Sequence, residues 1–473
     1  MNSASAFPDA TTAEVDISLQ TAAGAFHIFR KLSGERKASF LNAIADLLEQ
    51  NTEEIISLAN GETSLGLPRL RMELQRTVNE TRLFAKLAQS GDWRESRSDE
   101  PEPDRIPIPK PGLQSSNLPL GPVVVIGACN FPLAISVVGT DTMSALAVGC
   151  PVIVKAHPGH PGTCAKLGQI VKEAAIKTDM PSGTFSLLQG KDHRVSRGLV
   201  EHPLTRAVAF TGSLQGGRAL ATIAAARNEP IPFYAEMGSL NPLFILPEAL
   251  RERSDEIARG YVEAVNLFAG QMCTKPGALV LIDGPGLETF LSTAIATTRA
   301  KLPVAMLNQG IHENYETSSK ALAEKTELLA ESETSPEISR NEAASRLFAT
   351  EARSFLADPE LRAEAFGPAS LIIKAKDEKE LLELARQLEG NLTASLHAGN
   401  NDKELVDDLL PVLEQKAGRV LWNGFPPGVA PTTSTHHGGP WPATSDSRHT
   451  SVGLYGYRRF VRQVCRQGFP KKA

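Results

Sequence analysis

The chain has 473 residues, enough for two or three packed domains, because single hydrophobic cores seldom grow past about 250 to 300 residues. Its 49 Lys and Arg against 54 Asp and Glu leave a net charge of −5 with the bases scattered, which excludes a nucleic-acid surface and a polybasic membrane face. Five cysteines, at 129, 150, 164, 273 and 465, form an odd set without a CxxC pair, against a disulfide framework or a zinc site and in favour of a reducing, cytoplasmic setting.

The opening MNSASAFPDATTAEVDISLQ carries acids early and no basic start before an apolar run, so it does not read as a secretory signal. No apolar stretch reaches the roughly 20 residues that span a bilayer. Within the first hundred residues, LNAIADLLEQ and LRMELQRTVNETRLFAKLAQ space their apolar positions by three and four, which predicts helices. Residues 99–122 are too rich in proline for a helix or a central strand and predict an extended arm.

Beyond the arm, PVVVIGA, PVIVKA, FSLLQG and RAVAFTG alternate with helical segments, including 134–148 and 161–176. Uninterrupted apolar strands separated by amphipathic helices predict a parallel sheet covered on both faces. A second alternating set follows in GALVLID, ASLIIKAK, TASLHA and RVLWNG, with helices near 252–268, 286–300, 377–388 and 402–416. Residues 316–346 are polar enough to predict exposed helices or a mobile excursion.

Three short stretches carry residues suited to thioester chemistry, which needs a thiolate, a donor for an oxyanion and a base for water. GACNFPLA puts Asn130 after a predicted strand, YAEMGSLNP puts Glu236 at the end of another, and GQMCTKPG puts Cys273 in a loop. Taken alone, a cysteine such as Cys273 is more often a buried filler than a nucleophile, and an asparagine such as Asn130 usually caps a turn. Lys275, two residues from the thiol, reads either as a depressor of its pKa or as a solvent-exposed loop lysine.

FTGS at 210–213, AEMGSLNP at 235–242, GQMCT at 270–274 and EAFGP at 364–368 resemble, in this order, the successive signatures of the aldehyde dehydrogenase superfamily. Within it, GACNFPLA, VKAHPGHPGT and HHGGPWPATSDSRHTSVG are most similar to α-ketoglutaric semialdehyde (2,5-dioxovalerate) dehydrogenases and bacterial long-chain fatty aldehyde dehydrogenases. The resemblance implies an α/β fold of two doubly wound domains plus a small oligomerisation arm. Residues 1–100 and 121–238 would be the cofactor-binding domain, 239–445 the catalytic domain, and 101–120 and 446–473 the arm and tail of a homodimer or homotetramer.

It also implies Cys273 as nucleophile, Glu236 as general base and the Asn130 amide as oxyanion donor, assisted by the Cys273 backbone N–H, with no metal. Lys155 would hold the adenosine ribose, with His157 and Thr163 beside it at a helix N-terminus able to receive an anion. Gly212, Ser213 and Gly217 would form the cofactor-side turn, Glu364 would bind the nicotinamide ribose and Phe366 would pack near its ring. No carboxylate follows Lys155 closely, so NADP is the expected cofactor, with NAD possible. Cys129, where many members carry Trp, and Ser239, in place of a second glycine, imply a reshaped pocket.

The expected reaction is oxidation of a small aldehyde, α-ketoglutaric semialdehyde, to 2-oxoglutarate. Long-chain aldehyde oxidation, CoA acylation and a cofactor-binding protein without catalysis are the alternatives, while Glu236 argues against a phosphate-dependent reductase. An acidic substrate points to Arg448 and the pair His436/His437 for its carboxylate. A fatty one points to a channel of Phe131, Leu133, Val137, Val138 and Phe425.

Overall fold

The computed structural model describes residues 7–426 and 428–469; the first six residues of the expected cofactor domain, Pro427, and the last four of the expected tail lie outside the described residues. Strands β1 (Val123–Ile126), β2 (Val152–Lys155), β3 (Phe185–Leu188), β4 (Ala207–Thr211) and β5 (Phe233–Glu236) form a parallel sheet in the order β3-β2-β1-β4-β5. Every residue of β1 and β2 is buried, as an uninterrupted apolar strand demands when helices cover both faces. The order reverses between β1 and β4, so the loops leaving them diverge and open a crevice at the carboxyl edge. Helices Gly34–Gln50 and Leu67–Ser90 share a core with this sheet, Phe40, Leu48, Leu70 and Phe84 lying in one cluster with Val123, Val125 and Val154.

The second sheet comprises β6 (Leu243–Ile245), β7 (Ala278–Ile282), β8 (Glu327–Glu331), β9 (Arg346–Glu351), β10 (Ala369–Ala375), β11 (Asn391–His397) and β12 (Ala417–Trp422). Its order is β8-β9-β10-β7-β6-β11-β12, parallel throughout except for β8, which runs antiparallel to β9. The architecture is the expected α/β fold with two such sheets. The strand Leu113–Pro119 pairs with both Arg97–Asp99 and Val461–Gln467, which joins the proline-rich arm to the carboxyl-terminal tail.

The helix expected over 134–148 begins only at Thr140. Pro132 precedes it, and the Glu73 carboxylate accepts the Leu133 and Ala134 N–H groups, which holds residues 131–139 in turns. Residues 316–346 take the helical alternative in part and add a strand. They hold the end of helix Gln309–Lys325 and then β8, whose polar residues suit an edge strand facing water. Strands β6 and β9 escaped the sequence reading because one is three residues long and the other is interrupted by polar positions.

Candidate active site

The first sheet presents its carboxyl edge to a cleft of about 810 Å³, and the second presents its amino edge. Asn130 follows β1, Gly212 and Ser213 follow β4, and Glu236 ends β5. From the opposite side, Cys273 precedes β7 and Asn391 opens β11. Asn130, His157, Gly212, Ser213, Glu236, Cys273, Glu364 and Phe366 all line this one cleft.

The cysteine loop is held from several directions. Phe268, Ala269 and Gly270 adopt left-handed φ of 53°, 55° and 65°, a costly run for two non-glycine residues. A Cβ on Gly270 would lie 2.1 Å from the Gly367 carbonyl, so only glycine fits between those backbones. Asn241 Nδ2 donates to the carbonyls of Cys273 (2.8 Å) and Lys275 (3.0 Å). Asn241 is anchored in turn by Ser239, whose Oγ donates to Asn241 Oδ1 (2.8 Å) and accepts from Leu392 N (2.9 Å). The serine at this position therefore ties the β5–β6 connection to β11.

At the centre, His437 Nε2 lies 3.4 Å from Cys273 Sγ and 3.2 Å from Glu236 Oε1, and Ser451 Oγ donates to the other Glu236 oxygen. His437 and Glu236 are each 3 % exposed in their side chains. Burial alone would raise the Glu236 pKa; the adjacent imidazole and the hydrogen bonds from His437, Ser451 and Cys273 outweigh it and hold the carboxyl below its ordinary value. Burial and the facing Glu236 carboxylate push the Cys273 thiol well up, so the resting sulfur carries its proton. Asn130 Nδ2 donates to the Gln271 carbonyl at 3.1 Å, which aims the amide toward the cysteine loop.

The sequence offered His437 for a substrate carboxylate rather than for a place beside the thiol, and Ser451 only as part of a motif. They reach the site because residues 443–445 run beside β5: Met237 N donates to Ala443 O and Ser445 N to Ala235 O. The one available signal was the density of His, Gly and Pro in that tail segment. Arg448 does not join the site; it is exposed and paired with Asp446. Leu133, Val137 and Val138 do not line a channel, since all three are buried in the core of the first sheet.

Lys275 is not a loop lysine in solvent. It is fully buried, its Nζ donates to the carbonyls of Ala365 and Ala369 at 2.8 Å each, and burial lowers its pKa. It thereby supports the segment carrying Glu364 rather than the thiol. Glu364 is raised by burial; its Oε2 accepts from Ser239 N, and its Oε1 is buried beside the cleft with no hydrogen-bond partner among the described residues. Cys129 lines the cleft with its thiol pushed up to about 12 by burial.

Three of the cofactor candidates sit away from the cleft lining. Lys155 is buried at the end of β2. Gly217 serves close packing, because a Cβ there would lie 2.5 Å from Met237 Sδ. Thr163 is committed elsewhere: its N–H and Oγ1, with the Gly162 N–H, all donate to the Glu62 carboxylate at 2.6–2.8 Å. The anion position at the start of helix Pro161–Lys177 is thus filled by a side chain 100 residues upstream. The neighbouring His157 and His160 are turned inward. His160 is fully buried with Nδ1 3.2 Å from Cys164 Sγ, and His157 stacks on it with its pKa well lowered by burial, His160 and Lys155.

A sequence profile described as the aldehyde dehydrogenase family matches residues 2–441. The α-ketoglutaric semialdehyde dehydrogenase 2 of Azospirillum brasilense is 46 % identical over 98 % of this chain and 88 % of its own length. The α-ketoglutaric semialdehyde dehydrogenase of Acinetobacter baylyi is 43 % identical over the same shares. A 1-pyrroline-5-carboxylate dehydrogenase from Thermus with bound NAD superposes with a TM-score of 0.81 at 22 % identity, covering 97 % of this chain and 86 % of that one. A 3,6-anhydro-L-galactose dehydrogenase in complex with NAP gives 0.81 at 21 % identity, covering 97 % and 92 %.

Proposed function

Since this chain belongs to the aldehyde dehydrogenase family, we propose that it oxidises α-ketoglutaric semialdehyde to 2-oxoglutarate with a nicotinamide cofactor. The observation that carries the reading is the meeting of Cys273, His437 and Glu236 in one cleft with Asn130. The names of the two relatives support the substrate. So does the surrounding chemistry, because three of the five side chains expected to form a fatty channel, Leu133, Val137 and Val138, are core residues.

Cys273 is the nucleophile. As sulfur attacks the aldehyde carbon, its proton passes to His437 or Glu236, both within hydrogen-bond reach. The Asn130 amide and the Cys273 backbone N–H, which has no acceptor among the described residues, receive the oxyanion. A bound nicotinamide supplies the acceptor for the hydride. Glu236, held ionised, then takes a proton from the water that hydrolyses the thioester. The cleft fits such a cofactor: Glu364 leaves a buried carboxylate oxygen unpaired for a ribose hydroxyl, and Ser213, Gly212 and Phe366 line the same space.

The sequence favoured NADP. Two features favour NAD instead: Glu62 already occupies the helix N-terminus past β2, where a 2′-phosphate would seek donors, and a neutral His157 offers it no cation. The exposed arm residues Ile106 and Ile108, next to the three-stranded sheet, support a homodimer or homotetramer. The test is formation of reduced cofactor from α-ketoglutaric semialdehyde and from long-chain aldehydes, with NAD and NADP, with and without CoA. Free 2-oxoglutarate formed without CoA is expected; a preference for long-chain aldehydes, or an acyl-CoA product, refutes the reading.

A further inference from the structure

We propose that Arg69 is a positioning residue that locks the loop carrying Asn130 to the loop carrying Cys273, so that its guanidinium sets the geometry in which the oxyanion is received. This rests on the reading of Asn130 as the oxyanion donor.

Arg69 and Glu73 stand one turn apart on helix Leu67–Ser90, and both side chains are buried. The loop that leaves β1 meets this pair directly. Arg69 Nη2 donates to the Asn130 carbonyl at 2.6 Å, and Glu73 Oε1 accepts from Leu133 N (2.8 Å) and Ala134 N (2.9 Å). Arg69 Nη1 lies 3.4 Å from Glu73 Oε2, an ion pair that keeps the two contacts in register. Asn130 is therefore fixed against the helix as well as by its own strand.

The same guanidinium faces the cysteine loop. Its carbon lies 4.8 Å from the centre of the Phe131 ring and 4.4 Å from that of the Phe268 ring. Phe131 follows Asn130, and Phe268 stands five residues before the nucleophile. A planar cation is attracted to the face of each ring, so one buried side chain joins two loops that belong to different sheets. It does so where the chain is strained: Phe268 and Ala269 hold φ of 53° and 55°, a conformation that persists only when the surroundings fix it. The bond from Asn130 Nδ2 to the Gln271 carbonyl, 3.1 Å, closes the bridge on the cleft side.

The consequence falls on kcat. Arg69 does not line the cleft, so its loss removes no contact with aldehyde or cofactor. What changes is the placement of the Asn130 amide and the Cys273 N–H, which act on a charge that exists only as the tetrahedral intermediate forms.

The test measures kcat, the aldehyde KM and the cofactor Kd of the full chain in Arg69→Met, Asn130→Ala and the double variant, with α-ketoglutaric semialdehyde as substrate. A parental kcat in Asn130→Ala overturns the oxyanion reading itself. Given a loss there, Arg69→Met should lower kcat by about 30-fold, less than outright removal of an oxyanion donor, with KM and Kd within about twofold of the parent. The double variant should turn over within about twofold of Asn130→Ala, because a donor that is gone cannot be misplaced. Losses that multiply in the double variant overturn the assignment, as does a loss carried by KM or Kd with kcat kept. If Arg69→Met does not fold, Phe268→Leu removes the ring on the cysteine-loop side and should lower kcat in the same way at smaller size; a parental kcat there overturns the assignment equally.

Discussion

His437→Ala removes a side chain in contact with both the thiol and the base. Glu236 is buried, and the imidazole is the largest influence holding its pKa down against burial. A hydrogen bond to a charged group contributes about 1.5–3 kcal/mol, which is about one to two pKa units at 1.36 kcal/mol each. The sign follows from the depressed value in the parent: the base works only when ionised, so losing the imidazole raises its pKa and shifts the acid limb of the kcat profile to higher pH by about one to two units. The thiol simultaneously loses a proton acceptor, and acylation should slow by about 100-fold, the low end for a positioned general base. The assay is a stopped-flow record of reduced-cofactor formation across pH, paired with the rate of Cys273 alkylation by iodoacetamide. An acid limb within 0.3 units of the parent's, by the order-of-magnitude reasoning above, together with an unchanged alkylation rate, would refute the coupling of Cys273, His437 and Glu236.

Glu236→Gln should retain the first turnover and lose the steady state: one burst of reduced cofactor per active site, then a steady rate about 100-fold or more below the parent, because the amide cannot activate water. Quenched-flow analysis checks it, and parental steady turnover would assign deacylation to another base. Added Zn²⁺ should inhibit the resting enzyme, with EDTA restoring activity. The Cys273, His437 and Glu236 ligand atoms lie within 4.8 Å of one another, and the 3.4 and 3.2 Å separations approach those around a tetrahedral zinc with bonds of about 2.0–2.3 Å. Equal sensitivity of His437→Ala to zinc would place the inhibition elsewhere.

The sequence alone determined the buried strands of the first sheet. Residues 123–126, 152–155 and 207–211 declare themselves as strands because a parallel strand covered on both faces must be apolar at every position, a pattern that survives without any knowledge of neighbours. Cys273, Glu236 and Asn130 stood out because their short stretches resemble the family's successive signatures; taken alone, each also had a structural reading. What the chain folds around them was not legible. His437 and Ser451 reach Glu236 across more than 200 residues, carried by an irregular segment with no periodicity to read. Lys275 looks like a surface lysine until two carbonyls from residues 365 and 369 close over it, and Thr163 looks like a free donor until Glu62 arrives from another helix. Only packing decides whether a charged side chain meets water, a counter-ion or nothing, because that depends on which distant backbone it is buried against, and only the tertiary structure brings those segments together.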